Sequence, residues 1–396
     1  MPTKEVALSR FRVLDLSRVR AGPTCARILA DFGADVIRVE PPAGIDPNDG
    51  MFAERRTGGD FQNLNRNKRS LTLNLKTDEG MQILRELVAE ADVVLENWRP
   101  DVKARLGLDF ESLSRINPRI ILASISGYGQ TGPYAWWPGF DQVVQGMSGL
   151  MSITGFPEGP PTRVGIAVAD SSAGVYAASG ILVALLEREV SGKGQWVQTS
   201  LLHTMIAMMD FQVARYLVDG DVPAAAGNDH PTAAPMGMFR ASDGYFNIGV
   251  SGYGQWKNFC TVMGKSDWAE HPDFINNDDR VANRARIHAM MEPILLTQPV
   301  KHWVEAFNRA NVPAGPVYDV PQMLADEQVA HIGATQQVET FFGKDINILT
   351  LPVTLGRSSA ELRKGAPDRG EHTDEILAAL GRDAQTIAAL RTSGVV

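Results

Sequence analysis

Asp170 is the residue whose type and position most favour a chemical role. It follows an apolar run, begins an almost wholly apolar helix predicted over 170–189, and precedes four small residues at 171–174. Asp is a favoured helix N-cap, so capping is one interpretation. A helix N-terminus also keeps a carboxylate ionised, and small neighbours would let a ligand reach its oxygens. The sequence therefore indicates an ionised carboxylate with a capping role, a ligand-facing role, or both.

Cationic residues of the first half of the chain lie near predicted strand ends or connections. They are Arg38, Lys68, Arg69, Lys76 and Arg105. Charged residues at strand ends are usually only solvated, but ligands of open α/β sheets collect outside the carboxyl ends of the strands. Because the formal net charge is -8, a general nucleic-acid surface is not expected. An anionic ligand would need a local basic patch.

Several common kinds of site are disfavoured. Gly127, Gly129 and Gly132 form a literal GxGxxG after a predicted strand, but prolines stand where the phosphate-binding helix would begin. Proline in a helix interior costs about 3 kcal/mol. The seven histidines fall at no metal-ligand spacing, and the sequence has no GxSxG or Walker A motif. We therefore expect no dinucleotide, no metal site and no permanently bound cofactor.

The elements that would position these residues alternate between strand and helix over the first half. Strands are predicted at 11–16, 34–40, 71–76, 92–96 and 120–126, and helices after Pro23 and at 78–91. The segment at 71–76 alternates apolar and polar residues, which is typical of a half-exposed strand. Such alternation predicts a parallel sheet covered by helices. The apolar helix from Asp170 is expected at the centre of this domain rather than on its surface.

The second half has a different texture. From about Val222 the sequence VPAAAGNDHPTAAP indicates a linker. Beyond it we predict a strand at 245–250, a helix after Gln255, further helices to residue 311, an exit loop at 313–316 and a tail helix at 373–380.

Composition bounds the class of protein. A chain of 396 residues with 44% hydrophobic and 21% charged residues is typical of a soluble globular protein of two domains or one large one. The charged N-terminal residues do not form a signal peptide, and the densest apolar run is too short to span a bilayer. Two cysteines are too few for a disulfide framework. We expect a cytoplasmic protein that binds no membrane.

Seven motifs in order resemble the family III CoA-transferases, which include formyl-CoA transferase and the carnitine CoA-transferases. They are VLDLSRVRAGP (13–23), GADVIRVEPP (33–42), LNRNKRSLTLNLK (64–76), DVVLENWRP (92–100), SISGYGQTGPY (124–134), VADSSAG (168–174) and GEHTDEIL (370–377). The resemblance implies a large Rossmann-like domain made from both chain ends, a smaller α+β domain between them, and an interlocked homodimer. We place the domains at 1–221, 222–325 and 326–396.

The resemblance also implies roles for particular residues. Asp170 matches the family's nucleophile, which is acylated by an acyl-CoA. The implied contacts to coenzyme A (CoA) are Val19, Arg20, Ala21, Arg38, Leu73, Lys76, Asn97, Trp98 and Arg105. The basic ones make physical sense, because CoA carries a diphosphate and a ribose phosphate. Ser251, Gly252, Tyr253 and Gly254 resemble a mobile lid loop of some members, although a plain turn is an equal interpretation.

The expected reaction moves CoA between carboxylic acids, with acyl-CoA and a small acid as the only partners besides a second copy of the chain. Arg20, with Arg55, Arg56 and Arg163, suggests a second carboxylate on one substrate. One alternative is an α-methylacyl-CoA racemase, whose base is the His of a GHD motif; Phe140 stands there and carries no proton. Another is a catalytically silent CoA-binding protein.

Overall fold

The computed structural model describes residues 6–46 and 55–396. The chain divides into two compact units. The first contains Met1–Leu150, Val164–Asp219 and Ala330–Val396, and the second contains Met151–Arg163 and Gly220–Val329. The boundaries expected from sequence remain a proposal; they do not separate Met151–Arg163, which groups with the second unit.

A six-stranded parallel sheet organises the first unit. Its strands are β1 (Arg12–Asp15), β2 (Asp35–Glu40), β3 (Arg69–Thr72), β4 (Val93–Glu96), β5 (Ile121–Ser126) and β6 (Trp196–Ser200). They lie in the order β3-β2-β1-β4-β5-β6, and neighbours are parallel. This is the Rossmann order, which reverses direction between β1 and β4, where ligands of such sheets bind. The predicted α/β class with a parallel sheet is confirmed.

Helices cover both faces of this sheet. In chain order the helices are α1 (Ala21–Asp31), α2 (Gly59–Asn65), α3 (Asp78–Glu90), α4 (Pro100–Leu106), α5 (Phe110–Ile116), α6 (Asp141–Met147), α7 (Val168–Ser191), α8 (Leu201–Met208), α9 (Asp210–Asp219), α10 (Tyr253–Val262), α11 (Asn277–Ala282), α12 (Arg284–Leu295), α13 (Val300–Arg309), α14 (Val320–Leu324), α15 (Glu327–His331), α16 (Thr373–Ala379) and α17 (Ala384–Thr392). One apolar core lies between the sheet and α1, α7 and α8. The other lies between the sheet and α3, α5, α16 and α17.

β3 differs from its sequence-based description. The strand ends at Thr72 and is buried rather than half-exposed. Its polar residues are covered by the C-terminal segment, because the Thr72 N–H donates to Thr373 Oγ1 at 3.1 Å and the Gly370 N–H donates to Ser70 Oγ at 2.8 Å. A partner 300 residues away in sequence thus occupies the face that the alternation assigned to solvent.

α7 is only partly the central helix that the sequence predicts. One face, with Ala173, Ala177 and Ile181, is buried. The opposite face is exposed, to 65% at Val183 and 71% at Leu186. α7 is long and apolar enough for a membrane span by length and composition alone, a property that core helices of soluble proteins share. We treat it as a core helix because its buried face packs on α1 and the sheet.

The second unit is built on a small antiparallel sheet. Its strands are β7 (Met236–Arg240), β8 (Tyr245–Gly249) and β9 (Ala314–Pro316), and the hairpin β10 (Thr335–Glu339) and β11 (Asp345–Leu349) belongs to the first unit. The exit loop predicted at 313–316 is therefore wrong: β9 pairs with β8 as an edge strand. Proline is tolerated on a sheet edge. The helices α10, α12 and α13 complete this unit's core.

Candidate active site

Two loops meet where the strand order reverses. The β1–α1 loop carries Arg18 and Val19, and the β4–α4 loop carries Asn97. The Asn97 side chain joins them, because its Oδ1 accepts the Arg18 N–H at 2.9 Å and its Nδ2 donates to Arg18 O at 2.7 Å. Beside this clamp Val19 has a φ of 66°, a strained conformation for a β-branched residue. The amide of Asn97 thus serves to fix the loop.

A cavity of about 270 Å³ opens at this junction, and we call it the Asp170 cavity. It is bounded by the two loops, the end of β5, the β5–α6 loop that carries Trp137 and Phe140, and the first turn of α7. Its lining includes Arg18, Val19, Arg20, Ala21, Asn97, Trp98, Arg99, Ser126, Ala135, Trp137, Phe140, Asp170 and Leu201. Every one of these residues belongs to the first unit.

Asp170 does not cap α7. The helix begins at Val168, the N-cap position is Ala167, and no side chain caps this end from the N-cap position. The capping interpretation is therefore wrong, and the Asp170 carboxylate lies on the cavity wall. The small residues after it serve packing: a Cβ added at Gly174 would lie 2.6 Å from Ala21 O. Gly174 thus lets α7 approach α1, whose N-terminus lines the same cavity.

Asp141 supplies the missing cap. Its Oδ1 accepts the Ala169 N–H at 2.8 Å and the Asp170 N–H at 3.4 Å. Its Oδ2 accepts the Gln145 Nε2 at 2.7 Å, and Gln145 in turn bonds the Val164 N–H and Ile166 O. This buried network fixes the chain on which Asp170 stands.

The pKa of Asp170 is raised to about 6. Burial is the largest cause, the negative charge of Asp141 adds to it, and the positive charge of Arg20 opposes both. The carboxyl is therefore a stronger base than an exposed aspartate, yet about 90% of it is ionised at pH 7. An ionised carboxylate on an otherwise largely apolar wall is suited to nucleophilic attack without a separate base.

Arg20 is the cation whose charge lowers the pKa of Asp170. Its Nη2 lies 2.6 Å from Asp60 Oδ2, and its side chain is 25% exposed. The Asp60 side chain is 55% exposed, so this ion pair can exchange Asp60 for an anionic ligand at small cost. Arg99, which is 55% exposed, lines the same cavity.

A second cavity of about 200 Å³, the Lys76 cavity, adjoins the first, because Arg18 and Trp98 line both. Its other described lining residues include Arg38, Glu40, Asp46, Leu73, Lys76 and Arg369. Among the described lining residues, four cations and two carboxylates give a net positive charge. An extended ligand with an anionic end can therefore lie from Lys76 past Trp98 to Asp170.

Most of the contacts implied by sequence fall on these two cavities, and Arg105 does not. Arg105 is exposed on α4 and lines neither cavity. Arg38 is only 3% exposed. Its guanidinium donates to Asn65 Oδ1 at 3.0 Å and pairs with Glu40 at 3.4 Å. Burial would raise the pKa of Glu40, but Arg38 and the neighbouring cation Arg56 lower it overall.

The other arginines proposed near the reacting end are placed differently. Arg56 pairs with Glu40 and donates to Pro367 O at 3.1 Å, so its guanidinium is committed there. Arg55 is exposed and lines neither cavity, and Arg163 belongs to the second unit. Sequence reasoning missed Arg18, Arg99 and Trp137. It considered Phe140 in the GFD stretch but overlooked Asp141, whose adjacency to Phe140 was the available signal.

The proposed lid segment lies in the second unit. Gly252 is the extended N-cap of α10, and Tyr253 and Gly254 form the first turn of that helix. The Ser251 N–H and hydroxyl both donate to Gln255 Oε1 at 3.1 Å. Its role as a lid remains a prediction. Within residues 6–46 and 55–396, no group of three or more His, Cys, Asp or Glu side chains could hold a metal ion.

Comparison with known proteins gives concordant matches. A sequence profile described as CoA-transferase family III matches residues 8–373. The succinate–glutarate CoA-transferase of Agrobacterium fabrum is 38% identical over 388 residues, covering 96% of this chain and 97% of its own. The acetyl-CoA:oxalate CoA-transferase of Acetobacter aceti is 41% identical over 319 residues, covering 78% and 80%. A crystal structure of a CAIB/BAIF family protein from Brucella suis is 36% identical with a TM-score of 0.82, covering 95% and 99%.

Proposed function

The chain belongs to CoA-transferase family III and is an enzyme, and we propose that it moves CoA from an acyl-CoA thioester to a free dicarboxylic acid through covalent intermediates at Asp170. The observation that carries this proposal is the Asp170 carboxylate on the wall of a cavity that continues, past Trp98, into the cationic Lys76 cavity. CoA has a reactive thiol and a polyanionic end joined by a pantetheine arm, and this layout fits both.

In the first half-reaction an Asp170 oxygen attacks the thioester carbonyl carbon, and the C–S bond breaks to give a mixed anhydride and CoA thiolate. The thiolate then attacks the Asp170 carbonyl, the donor acid leaves as a carboxylate, and an aspartyl-CoA thioester remains. The acceptor carboxylate attacks this thioester and releases CoA thiolate. Attack of the thiolate on the acceptor's carbonyl forms the new acyl-CoA and restores Asp170.

The rate must come from positioning and from stabilising the oxyanion, because a carboxylate is a weak nucleophile. Ala21 is the first residue of α1 and lines the Asp170 cavity, so the partial positive charge of this helix end favours a developing oxyanion. Anhydrides are hydrolysed if water enters the site. The cavity residues Trp137 and Phe140 are 50% and 64% exposed, so the intermediates need a cover. We propose that the segment Ser251–Gly254 closes over the intermediates.

The dicarboxylate assignment has two supports. Relatives with 38% and 41% identity are named for succinate, glutarate and oxalate. Arg20 and Arg99 line the Asp170 cavity, and a guanidinium pairs with a distal carboxylate. The test measures transfer from succinyl-CoA and acetyl-CoA to oxalate, succinate, glutarate, acetate and butyrate by mass spectrometry of the acyl-CoA products. Preference for monocarboxylates would remove the dicarboxylate assignment, and no transfer with any pair would remove the proposed function.

Arg20→Met should lower kcat/KM for dicarboxylates by about 10- to 100-fold, the value of a charge-assisted hydrogen bond of about 1.5–3 kcal/mol. The loss for acetate and butyrate should stay below about fivefold, because they have no second carboxylate for the cation to pair with. Kinetics at pH 8, where Asp170 is ionised in both proteins, provide the measurement. Arg99→Met is the matched variant: if it alone lost the preference, Arg99 and not Arg20 would recognise the distal carboxylate.

We also propose that the enzyme is a homodimer. Five large apolar residues share the exposed face of α7: Val175, Tyr176, Val183, Leu186 and Val190. An apolar helix face left in water is typical of an interface. The interlocked dimer that the family resemblance implies would cover this face.

Leu186→Glu with Val183→Glu should convert the dimer to monomer or aggregate, because two carboxylates would be buried in the interface. Analytical ultracentrifugation of the wild-type protein should give about twice the chain mass of 43.1 kDa. Arg115→Glu, on the far side of the sheet, is the control and should leave the dimer intact. A wild-type monomer at micromolar concentration would contradict the proposal.

A further inference from the structure

A third cavity lies between the β10–β11 hairpin and the C-terminal segment, and we call it the Lys364 cavity. Its volume is about 420 Å³, and its lining includes Glu339, Phe341, Lys364, Glu371 and His372. All five residues belong to the first unit, and none of them lines the other two cavities described above. The chemistry of the Lys364 cavity is therefore separate from the reaction at Asp170.

The edge of the large sheet sets the tautomer of His372. β3 is an edge strand, and His372 binds both backbone groups of Ser70 in it. The His372 N–H donates to Ser70 O at 3.0 Å, and the Ser70 N–H donates to His372 Nδ1 at 3.3 Å. Desolvation and the charge of Lys364 lower the pKa of His372 below its usual value, so the ring is neutral at pH 7. Because Nδ1 accepts, the single ring proton is on Nε2.

The amine of Lys364 is the group that faces this Nε2–H. Lys364 Nζ lies 3.3 Å from His372 Nε2, whereas the nearer Glu371 oxygen is 3.7 Å from the same nitrogen. An ammonium group has three donors and no acceptor, so it cannot accept the Nε2–H. A neutral amine can, because its nitrogen then has a lone pair. Within the part of the chain that the structure describes, no carboxylate lies within ion-pair distance of Nζ to hold the charged form.

The surroundings of the amine act in the same direction. Desolvation by the neighbouring protein is the largest effect on Lys364 and lowers its pKa below the usual value. The positive charges of Arg69 and Arg363 also lower this pKa, while the negative charges of Glu371 and Glu375 oppose the shift. The side chain is nevertheless exposed, so a reagent can reach it. Lys364 thus combines the two properties of a reactive lysine, a lone pair on nitrogen and an accessible position.

We infer that Lys364 is a modification site, acylated on Nζ by the acyl-CoA thioesters that the proposed function brings to this protein as substrates. The Nζ lone pair attacks the thioester carbonyl carbon, a C–N bond forms and the C–S bond breaks. The amine proton passes to the CoA thiolate, which leaves as the thiol, so no further reactant is needed. The oxygen of the new amide accepts the His372 Nε2–H in place of the amine. The inference goes beyond the proposed function, because no step of it passes through Asp170.

Wild-type protein incubated with acetyl-CoA at pH 8, without an acceptor acid, should be acetylated at Lys364 at least about tenfold faster than at other exposed lysines, because a larger fraction of this amine is neutral. The internal references are Lys193 and Lys301, which are exposed and lie outside all three cavities. Mass spectrometry of the peptides at early times gives the three rates from one sample. Equal rates at Lys364 and the two references would overturn the inference.

His372→Asn is the matched variant. Asparagine places an oxygen near the Nδ1 position, so the Ser70 N–H keeps an acceptor and only the Nε2–H is lost. Acetylation of Lys364 should then fall to within about twofold of the rate at Lys193, because the amine no longer faces a donor that requires its lone pair. An undiminished rate at Lys364 in this variant would contradict the role of the imidazole and overturn the inference.

Asp170→Ala separates this site from the proposed function. Acetylation of Lys364 should proceed at the wild-type rate in this variant, because the thioester reacts directly with the amine. Loss of the modification would show that the acyl group arrives through Asp170, and would overturn the inference. A wild-type protein that is acetylated at Lys364 but transfers no CoA to any acid would instead remove the proposed function and leave this inference in place.

Discussion

Asp170→Asn and Asp170→Ala should both lose at least about 10⁴-fold in kcat, because each removes the ionised carboxylate that is the nucleophile of the covalent steps. Affinity for CoA should change by less than about threefold, since the cations of the Lys76 cavity remain and uniform binding is separable from chemistry. Transfer is measured by mass spectrometry of acyl-CoA products, and CoA affinity by calorimetry. Turnover within tenfold of wild type in the alanine variant would rule out the covalent mechanism.

Asp170→Glu is the sharper control for positioning. It keeps a carboxylate but moves it by one methylene, and a misplacement of about 1 Å can cost about 100-fold. Hydroxylamine trapping after incubation with succinyl-CoA should modify the peptide that holds residue 170 in the wild-type protein and leave the alanine variant unmodified. A racemase would instead exchange the α-proton without modification of this peptide.

Stability provides a second readout for the same substitution. Because burial raises the pKa of Asp170 from 3.8 to about 6, the folded protein holds this proton more tightly than the unfolded chain does. The ionised carboxylate therefore lowers the free energy of unfolding, fully above pH 6 and not at all below pH 4. After allowance for solvent screening, Asp170→Asn should stabilise the protein by about 1–2 kcal/mol at pH 7, as measured by urea unfolding.

Strands β1, β2, β4 and β5 were predictable from sequence because their signals are local, whereas β6 was not among the predicted strands. Buried apolar runs such as 120–126 become strands almost at the predicted bounds, and the alternation with helices fixes a parallel sheet. The burial of β3 was not predictable, because the groups that bury Ser70 and Thr72 come from residues 370–373. Pairing over such a sequence distance leaves no local pattern. The prediction of a loop at 313–316 was wrong for a related reason, since its prolines are compatible with a loop and with an edge strand alike.

For the site, sequence identified which residue types matter but not their arrangement. Asp170 and Lys76 were singled out from the sequence, and each lines one of the two cavities. The helix-capping role assigned to Asp170 belongs to Asp141, which is 29 residues earlier in the chain and takes that role only through the folded α6–α7 contact. Arg38 was expected at a surface, yet its ion pair with Glu40 is internal. Burial and pairing of charges are properties of the tertiary structure, which spacing alone does not encode.

Asp141→Asn and Arg20→Met should shift the acid limb of the pH–rate profile in opposite directions. Asp141 raises and Arg20 lowers the pKa of Asp170, which burial has already raised, to a net value of about 6. Activity requires the carboxylate, so wild-type kcat/KM should fall as pH decreases through about 6, by about tenfold at pH 5. Removing the Asp141 charge lowers that pKa and moves the limb to lower pH. Removing the Arg20 charge raises it and moves the limb to higher pH.

The comparison of variants cancels ionisation of the substrates, because the acyl-CoA and the acid titrate identically in all three proteins. Asp141→Asn keeps an Oδ1 that can accept the Ala169 N–H, but its amide then meets the Gln145 Nε2 that now donates to Oδ2. Two facing donors leave one unsatisfied, so we also expect a loss of about 1–3 kcal/mol in unfolding free energy. That loss changes the amplitude of activity and not the position of its acid limb. Shifts in the same direction, or none in either variant, would show that Asp170 is not the titrating nucleophile.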